Sequence, residues 1–444
     1  MAGLGLLSDL ARIEECCALD VLHRVSQMTA PVAGLRRSIT IVLIVLAVAL
    51  EILLSEPRPW FPDFRIAYYP AGFDALHGLP LSPLIASGVS GFVNLPIVAY
   101  LFAPLALLPW QVAAAGAFPF LGLVAITCAL LLLVRLTRLG AGASMLMVLL
   151  FAFNGPLIYS LKLGNTSHFV LLALVGALCL IRAERFVAAG VLLGLAALIK
   201  LPLLLFGVYL VARRAWTGVA GFVAVLLIAA ALSLLAFGVA LHWQWLDVAI
   251  VQFNSRVLGA FNVQSIPAML VRLRDPAPPL FDWAPLDPTW AERIITKLVQ
   301  VVFAVIAGWG LWRSAEPRRG QHRDERKIAP AELQFLVVLV LALVLSPMSW
   351  SHYYCWLLIP AAYFLGNLLP LGSSRTAVWV TWLAILLASP LVVLAGFSSA
   401  FLEAVYTRLI VSNYLISGII WLVILSLAAR GSLYPYGGRA SPVT

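Results

Sequence analysis

The sequence predicts an all-α integral membrane protein, a bundle of about 11 to 13 transmembrane helices. Hydrophobic residues make up 63% of the 444 residues and charged residues only 11%, whereas soluble domains carry about 25% charged residues. Apolar runs of helix length recur from residue 38 to residue 429. A surface this apolar must face lipid, where helices satisfy their own backbone hydrogen bonds.

Positive charge is clustered in short stretches between the apolar runs. The net charge is +10, and such clusters are typical of cytoplasmic loops under the positive-inside rule. The clusters are Arg36-Arg37, Arg135 with Arg138, Arg182 with Arg185, Arg213-Arg214, and the run from Arg313 to Lys327. A basic stripe with interleaved aromatic residues is absent from the sequence, which excludes nucleic acid as a partner. Membrane lipids are the expected surroundings.

The charge pattern divides the chain into three segments. Residues 1–37 form a cytoplasmic N-terminal segment without the apolar core of a signal peptide, residues 38–429 form the transmembrane domain, and residues 430–444 form a cytoplasmic tail. Two polar stretches, 55–92 and 242–288, are predicted to lie outside and to form the active site, because function concentrates in loops. The expected location is the cell membrane, with the site facing the periplasm or another extracytoplasmic side.

Local patterns predict two further features. Residues Phe64–Leu76 show partial helical periodicity, which predicts a helix lying on the membrane surface. The apolar run 186–212 is interrupted at Lys200-Leu201-Pro202. Two short helices, up and back, would place Lys200 at the outer face, and a single kinked helix is the alternative.

Asp63 follows the first apolar run, at the boundary between membrane and water. Partial desolvation there would raise the pKa of its carboxyl towards the working pH, as a general base requires. The alternative is a loop aspartate paired with Arg58 or Arg65. Spacing alone leaves both interpretations open.

Lys200 and His352 are polar residues set between apolar runs. An ionisable residue within a membrane segment indicates a functional site, and an ammonium suits a lipid phosphate as a point charge. Snorkelling of the lysine to the interface is the alternative. His352, beside Trp350 and Tyr353, suits sugar stacking or phosphate contact, and a hydrogen-bonded structural histidine is its alternative.

Further polar residues mark breaks between apolar runs and the second outer stretch. Amides and arginines near a membrane suit sugar hydroxyls and phosphate, although ordinary turns and loop caps explain them equally well. These residues are Asn165, His168, Arg256, Asn262, Gln264 and Arg272. The sequence lacks a P-loop, a dinucleotide-binding loop and an HExxH motif, and its five cysteines lack metal spacing. No metal and no cofactor are expected, and a transferase would take its donor from the membrane.

Five segments, in order, resemble the family 87 glycosyltransferases, which are membrane enzymes of the GT-C class. The resemblance covers most of residues 38–360, and Ser-Pro-Met-Ser-Trp-Ser-His is its most specific segment. The segments are Asp63–Gly78, Tyr100–Pro109, Gly190–Pro202 with Arg213–Trp216 after it, Asn262–Ser265 with Arg272 after it, and Ser346–His352. The chain departs from the family pattern at Gly164–Ser167, where Gly-Gln-x-Asn is common, and at Asn94–Pro96, where Tyr-Pro-Pro is common.

The resemblance implies a GT-C-like bundle with a helical first outer loop. It implies an inverting transferase that moves a sugar, mannose in better-known members, from a polyprenyl-phosphate donor to a glycolipid or glycan acceptor outside the cytoplasmic membrane. Asp63 would be the catalytic base. The predicted phosphate-binding residues are Lys200, His352, Arg256 and Arg272. The predicted substrate-binding residues are Arg65, Tyr68, Asn165, His168, Asn262, Gln264 and Trp350.

Two other classes of function remain possible on the sequence. A transporter or lipid flippase would also contain short broken helices, but it predicts internal inverted repeats and buried charges at mid-membrane. A scaffold subunit without a site would leave the polar residues of the outer stretches free to change. Alanine substitution of Asp63 separates the transferase from the scaffold.

Overall fold

The computed structural model describes residues 61–275, 278–314, 328–371, 374–390 and 399–430. Within these ranges the chain is helical, with two isolated backbone bridges and no strand. The predicted all-α class is therefore confirmed. The predicted first span, residues 38–54, and the N-terminal segment lie outside the described residues, as does most of the C-terminal tail.

The helices of eight or more residues are numbered here in chain order. They are α1 (Tyr69–His77), α2 (Phe118–Leu136), α3 (Ala141–Ala152), α4 (Gly155–Leu163), α5 (Ser167–Arg182), α6 (Phe186–Ile199), α7 (Leu205–Ala212), α8 (Trp216–Trp245), α9 (Ile266–Arg274), α10 (Trp290–Ser314), α11 (Pro330–Leu345), α12 (Leu358–Leu365), α13 (Arg375–Ala388), α14 (Ala400–Arg408) and α15 (Asn413–Ala429). Shorter α, 3₁₀ and π turns connect them, among them Phe64–Tyr68, Pro96–Leu101, Leu201–Leu204, Leu246–Gln252 and Ser351–Leu357.

Helix length separates two groups of apolar helices. The segments long and apolar enough to cross a membrane are Phe118–Leu136, Trp216–Ser255, Trp290–Leu311 and Ala400–Ala429. Helices α3 and α4 meet that test as a pair bent by 44°. The shorter apolar helices are Ser167–Arg182, Phe186–Ile199, Leu201–Ala212, Pro330–Leu345 and Arg375–Ala388. A multi-pass membrane protein is thus supported, and the count of 11 to 13 spans stays a prediction.

The first outer stretch contains the predicted surface helix. A π turn, Phe64–Tyr68, continues directly into α1, so the helix runs slightly beyond the predicted Phe64–Leu76. Gly72 lets α1 approach closely, because a Cβ there would lie 2.6 Å from the backbone carbon of Phe102. Phe64 and Tyr68 are buried. The helix is therefore packed into the protein along one face.

The second outer stretch begins as a continuation of α8. The helix continues through Trp245 and is kinked at Gly238, which has φ of 71° and ψ of 167°. Because L side chains rarely adopt that conformation, glycine suits the kink. The indole N–H of Trp245 donates to the Val93 carbonyl at 3.0 Å, and Ser82 donates to Gln244 at 2.6 Å. The two predicted outer stretches therefore pack against each other.

Candidate active site

A left-handed turn after α4 brings Asn165 to the start of the first outer stretch. Gly164 has φ of 68°, and a Cβ at this position would lie 2.7 Å from the Cβ of Phe64. The Phe61 N–H donates to the Lys162 carbonyl at 3.2 Å. A residue without a Cβ is needed because the two segments touch there. As a result, Asn165 faces Asp63, which is 102 positions earlier in the sequence.

The Asn165 amide connects a carboxylate to an ammonium. Its Nδ2 donates to Oδ2 of Asp63 at 2.6 Å, and its Oδ1 accepts from Nζ of Lys200 at 2.9 Å. The same oxygen also accepts from the Thr166 N–H at 2.7 Å and the Ser167 hydroxyl at 3.3 Å. These donors require an oxygen, so the orientation of the amide is fixed by its surroundings.

Lys200 lies at the break between α6 and the turn Leu201–Leu204. Its backbone is extended, with φ of −135° and ψ of 95°, so that α6 ends at Ile199 and the turn begins anew at Leu201. The side chain is 5% exposed, and its Nζ lies 4.7 Å from the centroid of the Tyr353 ring. A cation over an aromatic face gains electrostatic attraction without losing its capacity to donate hydrogen bonds. Lys200 is therefore held in place but still able to bind an anion.

Two buried histidines carry ring nitrogens without partners in the described part of the chain. His352 is 2% exposed, its ring is parallel to that of Trp350 at 6.2 Å, and neither nitrogen has a hydrogen-bond partner. His168 is fully buried, with Nδ1 bonded to the Ser160 hydroxyl at 2.9 Å and Nε2 unpartnered. Hydroxyls of neighbouring residues are also buried without partners, namely Thr166, Ser349 and Ser351.

Unpartnered buried polar atoms are costly, and their concentration in one place needs a reason. The histidines and hydroxyls belong to two short segments, 166–168 and 349–352, and Tyr353 directly follows the second. A polar ligand rich in oxygen would satisfy them together. Phosphate and sugar hydroxyls both have that chemistry.

The surroundings of Asp63 change its acidity in opposing directions. Burial raises the pKa of the carboxyl above its ordinary value, and this effect exceeds the lowering by the Asn165 hydrogen bond and the Lys200 charge. A raised carboxyl pKa makes the ionised form a stronger base. The alternative pairing of Asp63 with Arg65 is not what the structure shows, because the Arg65 guanidinium lies 5.7 Å from the centroid of the Trp110 ring; Arg58 lies outside the described residues.

Arg272 is buried in a separate hydrogen-bonded arrangement. Its Nη1 donates to the carbonyls of Ala260 and Val263, each at 3.0 Å, and to the Gly259 carbonyl at 3.4 Å. Its Nη2 donates to the Ser412 hydroxyl at 3.0 Å. These bonds use most of the guanidinium to connect a loop with the segment before α15. The predicted role in phosphate binding gains no support from these contacts.

The other predicted residues of the second outer stretch also have defined contacts. Gln264 donates to the carbonyls of Phe261 and Val411 at 2.9 and 2.7 Å, which is a structural arrangement. Arg256 is exposed, and its Nε lies 4.0 Å from the Asp287 carboxylate. The Asn262 carbonyl accepts from the Ser351 N–H at 2.7 Å. Asn262 thereby holds the segment that carries His352.

Tyr68 and Trp350 are held at the edges of the cluster by ring stacking and by a backbone bridge. Tyr68 is 6% exposed, and its ring is stacked on Phe102 at 4.7 Å. Trp350 forms a backbone bridge with Val263. The structure therefore brings Asp63, Asn165 and Lys200 into direct contact, with the segment of Trp350 and His352 next to Lys200 through Tyr353. Arg65, Arg256 and Arg272 make their contacts elsewhere, whereas the backbone N–H of Gln264 donates to the Ser349 carbonyl, in the segment that carries His352, at 2.6 Å.

Sequence reasoning named Tyr353 only as an aromatic neighbour of His352 and gave no role to Ser160. Tyr353 directly follows His352, so its position was visible, but its place beneath the Lys200 ammonium depends on a contact across 153 positions. Ser160 orients the His168 ring from a different helix, and no sequence signal marks it. Within the described ranges, no three His, Cys, Asp or Glu side chains are grouped so that they could hold a metal ion.

The chain matches one family model and is similar in sequence to two curated proteins. The model of glycosyltransferase family 87 matches residues 92–347. The chain is 28% identical over 305 residues to a polyprenol-phosphate-mannose-dependent alpha-(1-2)-phosphatidylinositol pentamannoside mannosyltransferase of Mycolicibacterium smegmatis, covering 67% of this chain and 66% of that protein. It is 31% identical over 222 residues to the polyprenol-phosphate-mannose-dependent alpha-(1-2)-phosphatidylinositol mannoside mannosyltransferase of the same organism, covering 48% and 43%. The chain thus spans less than two thirds of the length of either relative.

Among solved structures, the chain is similar to ArnT from Cupriavidus metallidurans bound to undecaprenyl phosphate. The TM-score is 0.41 and the identity 15%, over 88% of this chain and 77% of that one.

Proposed function

Because the chain belongs to glycosyltransferase family 87, we propose that it transfers mannose from polyprenyl-phosphate-mannose to a hydroxyl group of a mannosylated glycolipid. The observation that carries this proposal is the buried amide of Asn165, which contacts a carboxylate on one side and an ammonium on the other. Glycosyl transfer from a phosphate requires both groups, a base for the attacking hydroxyl and a cation for the leaving phosphate.

The Asp63 carboxylate and the Lys200 ammonium define the two ends of the proposed reaction. The Asp63 carboxylate takes the proton from the acceptor hydroxyl as that oxygen attacks the anomeric carbon. A new C–O bond forms there, and the bond between the anomeric carbon and the phosphate oxygen breaks, which leaves polyprenyl phosphate with the electron pair. A single displacement inverts the configuration at the anomeric carbon, and no covalent intermediate with the protein is formed.

Lys200 is proposed to stabilise the charge that develops on the leaving phosphate. Its ammonium is buried, rests on the Tyr353 ring and donates one hydrogen bond to Asn165 among the described residues. A preorganised cation in a water-poor site stabilises developing charge as an oxyanion-hole donor does, and removing one such donor from an acyl-transfer enzyme costs about 2.7 to 4 kcal/mol. His352 has two unpartnered ring nitrogens, and it is proposed to bind phosphate or sugar oxygens beside Lys200.

Asn165, predicted as a substrate contact, is proposed instead as a positioning residue. Its Nδ2 holds one carboxylate oxygen of Asp63, so the other oxygen is left for the acceptor hydroxyl. Its Oδ1 holds the ammonium of Lys200. An in-line displacement requires a fixed distance between the catalytic base and the phosphate-binding site.

The names of the curated relatives support the choice of substrates. Both relatives are described as polyprenol-phosphate-mannose-dependent and as acting on phosphatidylinositol mannosides. The proposed acceptor is therefore a phosphatidylinositol mannoside or a glycolipid of the same chemistry. The cluster is formed in part by the first predicted outer stretch, which supports a site facing the periplasm or another extracytoplasmic side.

The direct test uses the purified full chain in lipid nanodiscs with radiolabelled polyprenyl-phosphate-mannose and a phosphatidylinositol mannoside. We expect the wild type to move label to the acceptor and Asp63→Asn to lose transfer. Asp74→Asn, a substitution of the half-buried carboxylate on α1, is the matched control and should retain transfer. Equal transfer by wild type and Asp63→Asn would contradict the role of the base. Failure of wild type with a panel of lipid-linked sugars would contradict the transferase itself and favour a transporter.

A further inference from the structure

Three aromatic rings form a partly exposed cluster in the second outer stretch, which we call the aromatic shelf (Phe261, Phe281 and Trp283). Phe261 is 9% exposed and lies at its base, with ring centroids 5.9 Å from Phe281 and 6.3 Å from Trp283. Phe281 is 68% exposed and Trp283 38% exposed. Phe281 and Trp283 are therefore exposed and pack on the buried ring of Phe261. None of the three rings has a role in the proposed transfer.

Hydrogen bonds hold the Trp283 ring and the backbone on either side of Phe281. The indole N–H of Trp283 donates to Oδ1 of Asn262 at 2.9 Å, so the polar edge of the ring is satisfied within the protein. The Phe261 N–H donates to the Leu280 carbonyl at 3.0 Å. Asp282 lies between the two exposed rings in sequence, and its carboxylate accepts the Ala284 N–H at 2.8 Å. The exposed part of the shelf is thus a positioned apolar surface beside a carboxylate.

The shelf is connected to the proposed active site through Asn262. The side chain of Asn262 holds Trp283, while its carbonyl accepts the Ser351 N–H at 2.7 Å. Ser351 immediately precedes His352. The Val263–Trp350 bridge strengthens the same connection. A molecule resting on the shelf would therefore lie beside the segment that carries His352.

The charge of the shelf distinguishes between two possible occupants. Exposed aromatic rings at a membrane boundary commonly anchor a protein in lipid headgroups, and such anchors carry Lys and Arg to match anionic lipids. The residue between the two exposed rings is instead a carboxylate, Asp282, while the exposed Asp287 farther along the segment lies 4.0 Å from Arg256. The apolar face of a pyranose ring stacks on aromatic rings, and carboxylates accept hydrogen bonds from its hydroxyls. Neutral sugar fits both features.

We propose that the aromatic shelf binds the neutral sugar headgroup of the acceptor glycolipid next to the segment that carries His352. This role rests on the proposed function, because it takes the mannosylated acceptor as given. The shelf is a binding surface that acts on the acceptor and leaves the donor untouched.

Direct binding tests the shelf without any turnover. The Asp63→Asn protein, in nanodiscs of neutral phosphatidylcholine, is titrated with the soluble probe α-mannobiose and observed by saturation-transfer NMR. We expect saturation of the sugar protons, and loss of most of that signal when Phe281→Ala and Trp283→Ala are added. Trp379→Ala, which removes a 72% exposed indole from α13, is the matched control and should leave the signal unchanged. No signal, or a signal indifferent to the two shelf substitutions, overturns the proposal.

Steady-state kinetics gives a second readout. Trp283→Ala in the active protein should raise the KM for the phosphatidylinositol mannoside about tenfold, with the KM for polyprenyl-phosphate-mannose unchanged. An equal rise in both KM values would indicate a general disturbance and contradict the proposal. If the wild type transfers no sugar but α-mannobiose still binds at the shelf, the proposed function fails while the shelf stands. If transfer is normal and neither readout responds to the shelf substitutions, the shelf alone fails.

The depth of Trp283 relative to the bilayer distinguishes sugar binding from lipid anchoring. Brominated phospholipids quench only indoles that lie within the bilayer. Removing Trp283 should leave the fraction of fluorescence quenched by bromolipids the same or larger, because a shelf in water contributes unquenched emission. A smaller quenched fraction in Trp283→Ala would place the shelf in the membrane and overturn the sugar-binding role.

Discussion

Lys200 and Arg272 are both buried cations, yet their surroundings differ in one decisive respect. Arg272 donates to three backbone carbonyls and a serine hydroxyl. Among the described residues, Lys200 donates a single hydrogen bond, to Asn165, and otherwise rests on the Tyr353 ring. A buried charge is tolerated when it is well paired. The contrast indicates that Arg272 stabilises the fold, whereas Lys200 retains the capacity to bind an anion.

Of the two buried cations, Lys200 should give the larger effect on activity when it is replaced by an apolar side chain of similar length. Lys200→Met should lower kcat roughly 100- to 1,000-fold, because the leaving phosphate loses its cation. The fold should remain intact, since removal of a sparsely paired buried charge leaves few partners unsatisfied. Steady-state transfer and thermal unfolding of the same preparation check both statements. A large loss of thermal stability with normal kcat would reverse the roles given to the two cations.

Arg272→Met sharpens the same comparison from the other side. The substitution leaves several buried acceptors without a donor, so it should lower the free energy of unfolding by about 3 kcal/mol or more. The unfolding midpoint in detergent should fall by at least about 3 °C. Activity per folded molecule should stay close to that of the wild type. Unchanged stability together with lost transfer would show that Arg272 belongs to the chemistry.

Asn165→Ala should lower kcat roughly tenfold and also change the pH dependence of the reaction, because base and phosphate site lose their common contact. The Asn165 hydrogen bond lowers the pKa of Asp63, although burial keeps that pKa raised overall. Removal of the bond therefore raises the pKa further. A base must be ionised, so activity falls as the pH falls through that pKa, and the acidic limb of kcat/KM should move to higher pH in the variant.

Two outcomes distinguish positioning by Asn165 from a structural role. A merely structural residue would lower the amount of active protein without moving the pH profile. Asn165→Gln, which keeps the amide and is common at this place in the family, should restore the wild-type acidic limb more closely than alanine does. An acidic limb that stays fixed in all three proteins would contradict the proposed contact with Asp63.

His352→Gln should have the smallest effect of the series. Glutamine keeps hydrogen-bonding capacity in place of the two unpartnered ring nitrogens, so we expect a loss of roughly tenfold or less in kcat/KM for the donor. The KM for the acceptor should be unaffected. If His352→Gln raised the KM for the acceptor more than it lowered kcat/KM for the donor, His352 would lie at the acceptor end of the site.

Much of the site could be predicted where an ionisable residue interrupts an apolar run. Lys200 is singled out on that ground, and Asp63 by its position after an apolar run at the membrane boundary together with the family resemblance; the structure brings both to one amide. Charge in a sequence does not reveal its partners, however. Arg272 carries the same charge near a predicted outer stretch, and only the fold shows that backbone carbonyls occupy its guanidinium.

The link through Asn165 was beyond sequence reasoning for a physical reason. It depends on the left-handed turn at Gly164, which allows contact with Phe64 across the fold. Such a long-range approach leaves no local periodicity. The fold shows the same limit, since the all-α class followed from composition, while the kink at Gly238 and the helical start of the second outer stretch depended on packing against the first.

The contrast between the two buried cations is tested most directly by equilibrium binding of polyprenyl phosphate. Radiolabelled undecaprenyl phosphate is titrated onto wild type, Lys200→Met and Arg272→Met in nanodiscs, with each Kd referred to the folded fraction. We expect Lys200→Met to weaken binding at least about tenfold and Arg272→Met to bind as the wild type does. Binding that survives the loss of Lys200 and disappears with the loss of Arg272 would contradict the account.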